Sequence, residues 1–174
     1  MTHEGKRYCA WVAGDPVAAR FHDEEWGRPP PDDRAWFELL CLEVFQAGLS
    51  WRLVLHRRQA LRSALDGFEP ARVARWGERE IAQALAVPGV IRNRRKFEAV
   101  VRNARAFLAI CREHGGFAPW VDRRMEEGGA EEVVREFRER FSFLGPVLVR
   151  SLLESAGRLP LVHDPECHAA GGMG

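Results

Sequence analysis

His163 and Cys167 stand four residues apart in "HDPEC", a spacing that offers half of the four ligands a structural zinc ion takes. Upstream, Cys9 and His22 lie thirteen residues apart, flanked by Trp11, Phe21 and Trp26. The four together would form a Cys2His2 set with no open position, and therefore a structural role. The upstream spacing is not that of a zinc finger, and His168 is a rival ligand. Two buried thiols and two surface histidines are the other reading. Four cysteines (Cys9, Cys41, Cys111, Cys167) follow an N-terminus without an apolar signal core. They read as cytosolic thiols or metal ligands before disulfides.

A second candidate is Glu43 in "CLEVFQAGLSW", surrounded by Leu39, Leu40, Leu42, Val44 and Phe45. Burying an unpaired carboxylate is costly, so Glu43 lies either on an outer helix face or inside with a purpose. The run ends at Gly48, and Leu49, Ser50 and Trp51 follow at the corner. An apolar residue and an indole at such a corner offer a wedge and a stacking plate, as needed to pull a base from a duplex and refill the gap. Leu49 and Trp51 as plain core residues are the alternative.

The third is "VPGVIRNRRK", where a Pro-Gly turn precedes a helix opening with Arg92, Arg94, Arg95 and Lys96. Free amides and cations at a helix start favour anions, here a phosphate backbone, without reading base sequence. An ordinary helical hairpin with a solvated basic edge is the bland reading; the cation cluster favours DNA backbone contact. The net charge of +1 hides this clustering, because the basic residues are nearly all Arg, with Lys6 and Lys96 the only lysines.

These residues need helices to hold them. The 174-residue chain is 46% hydrophobic and 29% charged, which fits one soluble domain with a substantial core and excludes a disordered chain. No apolar run is long enough to span a bilayer. Asp32 or Asp33 caps a strongly apolar helix that stops at Gly48, and "WRLVLHRRQALRSAL" follows as a second. "EREIAQALAV" precedes the Pro88-Gly89 turn. The long helix after it turns Phe97, Val100, Val101, Ala104, Phe107, Leu108 and Cys111 inward. "AEEVVREFRERF" and "PVLVRSLLESAG" close the set, with Pro146 in the first turn of the last helix and Gly157 beyond its end. There is no internal repeat, no sustained period-two alternation, and no low-complexity tract except a glycine-rich tail. The expectation is all-α, with six to eight short helices.

In their order, "CAWV", "HDEEWG", "LEVFQAGLSW", "NARAFL", "FSFLG" and "HDPEC" resemble the 3-methyladenine DNA glycosylase I family of the helix-hairpin-helix glycosylase superfamily, from about Tyr8 to Cys167. The resemblance implies a bilobed all-α fold. A zinc-bearing lobe would come from about residues 1–30 and 141–170, and a helix-hairpin-helix lobe from about 34–115, within one domain. It implies one structural zinc per chain on Cys9, His22, His163 and Cys167. It also implies a pocket carboxylate at Glu43, base contacts from Trp51, Trp11 and Phe21, and an intercalating corner at Gly48 and Leu49. The DNA-backbone hairpin falls on Gly89, Arg92, Arg94, Arg95 and Lys96. The implied activity is monofunctional hydrolysis of the N-glycosidic bond of alkylated purines, chiefly 3-methyladenine, in double-stranded DNA. The implied protein is a cytoplasmic monomer, nucleoid-associated when bound. A DNA- or lesion-binding relative with lost or altered excision is the second reading. The sequence departs from the family at Phe21 (usually Tyr), Val44 and Arg95 (usually Gly), Arg150 (usually aromatic) and Leu161-Val162 (usually Asn-Asp). The stretch between Trp120 and Phe141 looks short.

Overall fold

The computed structural model describes residues 2–3 and 5–171, so the end of the glycine-rich tail lies outside the described residues. Among the described residues, eight α-helices and one 3-10 turn make up most of the structure. They are α1 (Pro16–Glu24), α2 (Asp33–Gln46), α3 (Trp51–Ala64), α4 (Pro70–Val73), α5 (Glu78–Leu85), α6 (Arg94–His114), α7 (Phe117–Arg140) and α8 (Pro146–Ser155). The all-α expectation is corrected in one detail. Thr2–His3 (β1) and Lys6–Arg7 (β2) pair antiparallel, with Thr2 opposite Arg7, in strands too short to show a period in sequence. No helix among the described residues is long and apolar enough to cross a membrane.

The caps fall where local chemistry puts them. Asp32, Ser50 and Asn93 accept from backbone N–H groups of the first turns of α2, α3 and α6, meeting donors that no intrahelical carbonyl can reach. Gly115, with φ +76°, closes α6 in the left-handed region. The short stretch after Trp120 is helical: α7 begins at Phe117 and runs to Arg140 through a break at Gly129 (φ 68°, ψ −161°). Pro119 is tolerated because it sits in the first turn.

Helix α2 is the axis of the fold. Nine of its fourteen residues are buried, it shows little amphipathicity, and it touches α3, α6, α7 and α8. The main core extends from Trp36 on α2 to Ala156 just past α8. A smaller cluster of Tyr8, Val12, Ala18, Ala19, Phe21 and Leu55 gathers under the N-terminal segment. Trp51 packs against both clusters, so the α2–α3 corner lies where they meet.

Candidate functional site: a sealed carboxylate, an aromatic group and a thiol–imidazole cluster

Glu43 is fully buried, which decides between its two sequence readings. Ser151 on α8 donates to its Oε1 at 2.7 Å, while Oε2 has no hydrogen-bond partner. Burial with no cation beside it pushes the Glu43 carboxyl up to about 8; the Ser151 bond opposes this and Glu154 adds to it. The seam between α2 and α8 also carries Leu39 and Ser155, each one helical turn from Glu43 and Ser151. Those two help line a cavity of about 250 Å3, with Phe21, Leu42 and the Pro29–Pro31 loop.

The aromatic residues come together as expected. Phe21 meets Trp51 edge-on at 5.3 Å between ring centroids and Trp11 at 6.4 Å, and Trp11 meets Trp26 at 5.4 Å. These edge-to-face contacts suit ring quadrupoles. Phe21 is buried, whereas Trp11 and Trp51 are half-buried. Val44 lies in the main core with no exposure, so its β-branched side chain occupies packed volume.

The corner after α2 turns on Gly48, whose φ of +78° falls in the left-handed region, with no neighbour crowding a would-be Cβ. Leu49 N–H closes the turn on Gln46 O at 2.7 Å, and Gly48 is exposed. At the α5–α6 connection Gly89 (φ +83°) packs against Ala60, with the Arg57 guanidinium beside it. Arg92 and Arg95 are exposed, and among the described residues neither makes an ion pair. Arg94 is partly spoken for, at 2.8 Å from Glu78 and 3.7 Å from Glu98.

Lys96 corrects the sequence reading. It is 4% exposed, and its ammonium donates to Phe45 O and Ala47 O, both at 2.7 Å. Consecutive helical residues sit about 100° apart, so Lys96 lies about 200° round the helix from Arg94. Lys96 shares its face with Val100 and Asn103, which are buried, and it is not a phosphate contact.

Cys9, His22, His163 and Cys167 converge, with their potential ligand atoms all within 4.8 Å of one another. His163 Nδ1 lies 3.6 Å from both thiol sulfurs, and His22 Nε2 lies 3.5 Å from Cys167 Sγ. The two ends of the chain are stapled around them. Ala10 N–H donates to Asp164 Oδ2 at 2.5 Å, and His168 N–H to Arg7 O at 2.8 Å. Asp23 receives His22 Nδ1 at 3.0 Å and the Tyr8 hydroxyl at 2.9 Å. Burial raises the Asp23 carboxyl, but these bonds outweigh it and hold the carboxyl below its usual range. An ionised Asp23 can only accept, so His22 Nδ1 carries the shared proton and Nε2 is the ring nitrogen turned toward the sulfurs. Burial pulls His163 down, which favours neutral imidazole, the ligating form, whereas it pushes the Cys9 thiol up to about 11, which opposes the thiolate while no cation is near. His168, the rival ligand, instead bonds Asp23 Oδ1 at 3.1 Å.

Ser151, Asp23, Asp164 and the burial of Lys96 escaped the sequence reading. Lys96 alone left a usable signal, its helical register with Val100 and Asn103. Of the other departures, Leu161 lies over Gly27, Val162 is exposed, and Arg150 reaches Glu131 at 3.6 Å.

A family model described as methyladenine glycosylase matches residues 11–140. DNA-3-methyladenine glycosylase 1 of Escherichia coli (strain K12) is 42% identical over 92 residues, which is 53% of this chain and 49% of that protein. The match therefore spans about half the length of the curated relatives. Solved structures align far more completely. A Tyr→Phe variant of 3-methyladenine DNA glycosylase I, in complex with 3-methyladenine, gives a TM-score of 0.84 at 32% identity over 94% of this chain and 97% of its own. A Glu→Gln variant of the Staphylococcus aureus protein gives 0.83 at 31% identity over 94% and 97%. The two substituted positions in these variants are as far apart in sequence as Phe21 and Glu43 are here.

Proposed function

The chain belongs to the methyladenine glycosylase family, and from that premise we propose that it is a monofunctional base-excision repair glycosylase acting on alkylated purines, chiefly 3-methyladenine, in duplex DNA. The observation that carries the reading is Glu43: a sealed carboxyl with one unpartnered oxygen, costly to keep unless a ligand uses it.

Methylation at N3 makes the adenine ring cationic, so the base already leaves well. As the C1′–N9 bond breaks, its electron pair passes to N9, the base departs neutral and the sugar carries an oxocarbenium charge. Water adds at C1′ and loses a proton, leaving an abasic site. The protein's part is to extract and hold the cationic base. Trp51 and Trp11 supply electron-rich faces, and Glu43, giving up its proton to water as the cationic base enters, accepts through Oε2 from the adenine edge in a low-dielectric site. Because Glu43 is fully covered in the free protein, the side chains over it part when a base enters. Phe21 offers no hydroxyl to the base. A relative whose Tyr is replaced by Phe was nonetheless solved with 3-methyladenine bound, which supports binding here too.

On the DNA side we assign Gly48 and Leu49 to the gap left by the flipped base, and Gly89, Arg92 and Arg95, with Arg94 once it leaves Glu78, to the phosphates of the helix-hairpin-helix. Lys96 is engaged by two carbonyls and offers no amine for a Schiff-base lyase step.

The Cys9–His22–His163–Cys167 cluster we read as a structural zinc site, one ion per chain. Zinc–sulfur and zinc–nitrogen bonds of about 2.3 and 2.0–2.1 Å at tetrahedral angles give a sulfur–nitrogen separation of about 3.6 Å. The separations of 3.5 and 3.6 Å here support that fit. Four protein ligands leave no site for substrate, so the ion would tie the zinc-bearing lobe together and take no part in the chemistry.

The test is incubation with methylated duplex DNA, counting free base and abasic sites. Equal numbers of both, with strands intact, are expected. Binding without any release would favour the lesion-binding alternative.

A further inference from the structure

Lys96 is a buried cation on the first turn of the helix that carries the exposed arginines, yet it points away from them. Its two acceptors lie at the opposite end of another helix. Phe45 O is one of the last carbonyls of α2, without an intrahelical partner, and Ala47 O belongs to the peptide that enters Gly48. Charge-assisted bonds at a helix C-terminus are strong in low dielectric and favoured by the dipole. They also fix the plane of the Ala47–Gly48 peptide, and with it the left-handed turn that carries Leu49. Desolvation lowers the basicity of the ammonium, a cost that its two short bonds offset.

We propose that Lys96 is a positioning residue, a strut between the first turn of α6 and the Gly48–Leu49 corner that keeps the phosphate-gripping arginines and the intercalating leucine in register. It rests on the glycosylase reading. The binding of duplex DNA and the extrusion of a base are separable events, and the strut serves the second. A displacement of about 1 Å at a reacting constellation can cost about a hundredfold in rate, so a loose corner slows extrusion while leaving backbone affinity alone.

Lys96→Met removes the charge with little change of volume, and Lys96→Gln keeps one neutral donor. For each, three quantities are measured with metal-loaded protein: the salt dependence of duplex binding, the fluorescence of 2-aminopurine beside an abasic-site analogue, and single-turnover release of 3-methyladenine. The expected result for Lys96→Met is an unchanged salt slope, a weakened 2-aminopurine signal, and release slowed by roughly 10- to 100-fold, with Lys96→Gln in between. A slope reduced by about 0.9 would mean a lost phosphate contact and overturns the proposal. So does unchanged release in a folded variant.

If Lys96→Met fails to fold, the Leu49→Ala background decides. A strut acting through Leu49 predicts no further slowing by Lys96→Gln there, and additive slowing overturns it. If the native protein frees no base while the fluorescence and salt measurements behave as stated, the glycosylase reading falls and the strut stands.

Discussion

Glu43→Gln makes the buried carboxyl a stability measurement as well as an activity measurement. The folded-state value of about 8 lies above the ordinary 4.5, so folding favours the protonated form. The stability linked to Glu43 is therefore fully present below pH 4.5, declines as pH rises, and is lost by about pH 8. At pH 7 the loss is about 3 kcal/mol. Gln does not titrate, keeps an acceptor for Ser151 and removes this loss, although its amide brings an unmet donor costing about 1 kcal/mol. The variant should be about 1 kcal/mol less stable than the native chain at pH 4.5 and about 2 kcal/mol more stable at pH 7, crossing over in between. Urea unfolding at matched pH reads this as a midpoint shift of about 1 M at pH 7. An offset of one sign and size at both pH values would refute the claim that Glu43 is protonated in the free protein.

Freshly isolated protein should carry one zinc per chain by elemental analysis, and cobalt substitution should give the sulfur-to-metal absorption of a tetrahedral two-thiolate site; well under one metal per chain removes that site from the account. Arg92→Ala should weaken duplex binding equally for all sequences and lower the salt slope by about 0.9, measured by titration over a salt series; an unchanged slope takes Arg92 out of the interface. Phe21→Tyr places a hydroxyl in the aromatic group, and one recovered hydrogen bond of about 0.5–1.5 kcal/mol should tighten free 3-methyladenine by about 2- to 12-fold in a tryptophan-quenching titration. No change would show that the hydroxyl does not reach the base.

Local chemistry made most of the scaffold readable. Asp32 capping, the apolar run of α2 and the Gly48 stop are short-range effects, and the structure keeps all three. The first half of α7 was missed because Pro119 and Gly128-Gly129 interrupt its pattern. Its buried Phe117, Trp120 and Val121 nonetheless follow helical spacing, and tertiary packing holds it. Burial of Glu43 was foreshadowed by the apolar residues on every side of it. Ser151 was not, because a polar residue on α8 gains its meaning only when α8 lies against α2. Lys96 was misplaced because charge clustering outweighed helical register. The cluster of Cys9, His22, His163 and Cys167 came from residue types, and the staple of Asp164 to Ala10 that draws the two segments together is a long-range contact with no local signature.

The proposed role of Glu43 is excision of an alkylated base. Single-turnover release of 3-methyladenine from methylated duplex DNA, native protein against Glu43→Gln, tests it most directly. The native chain is expected to release the base, and the variant to do so about 100- to 1,000-fold more slowly, with duplex binding retained. Equal rates, or no release by a native chain that binds the same DNA, would contradict it.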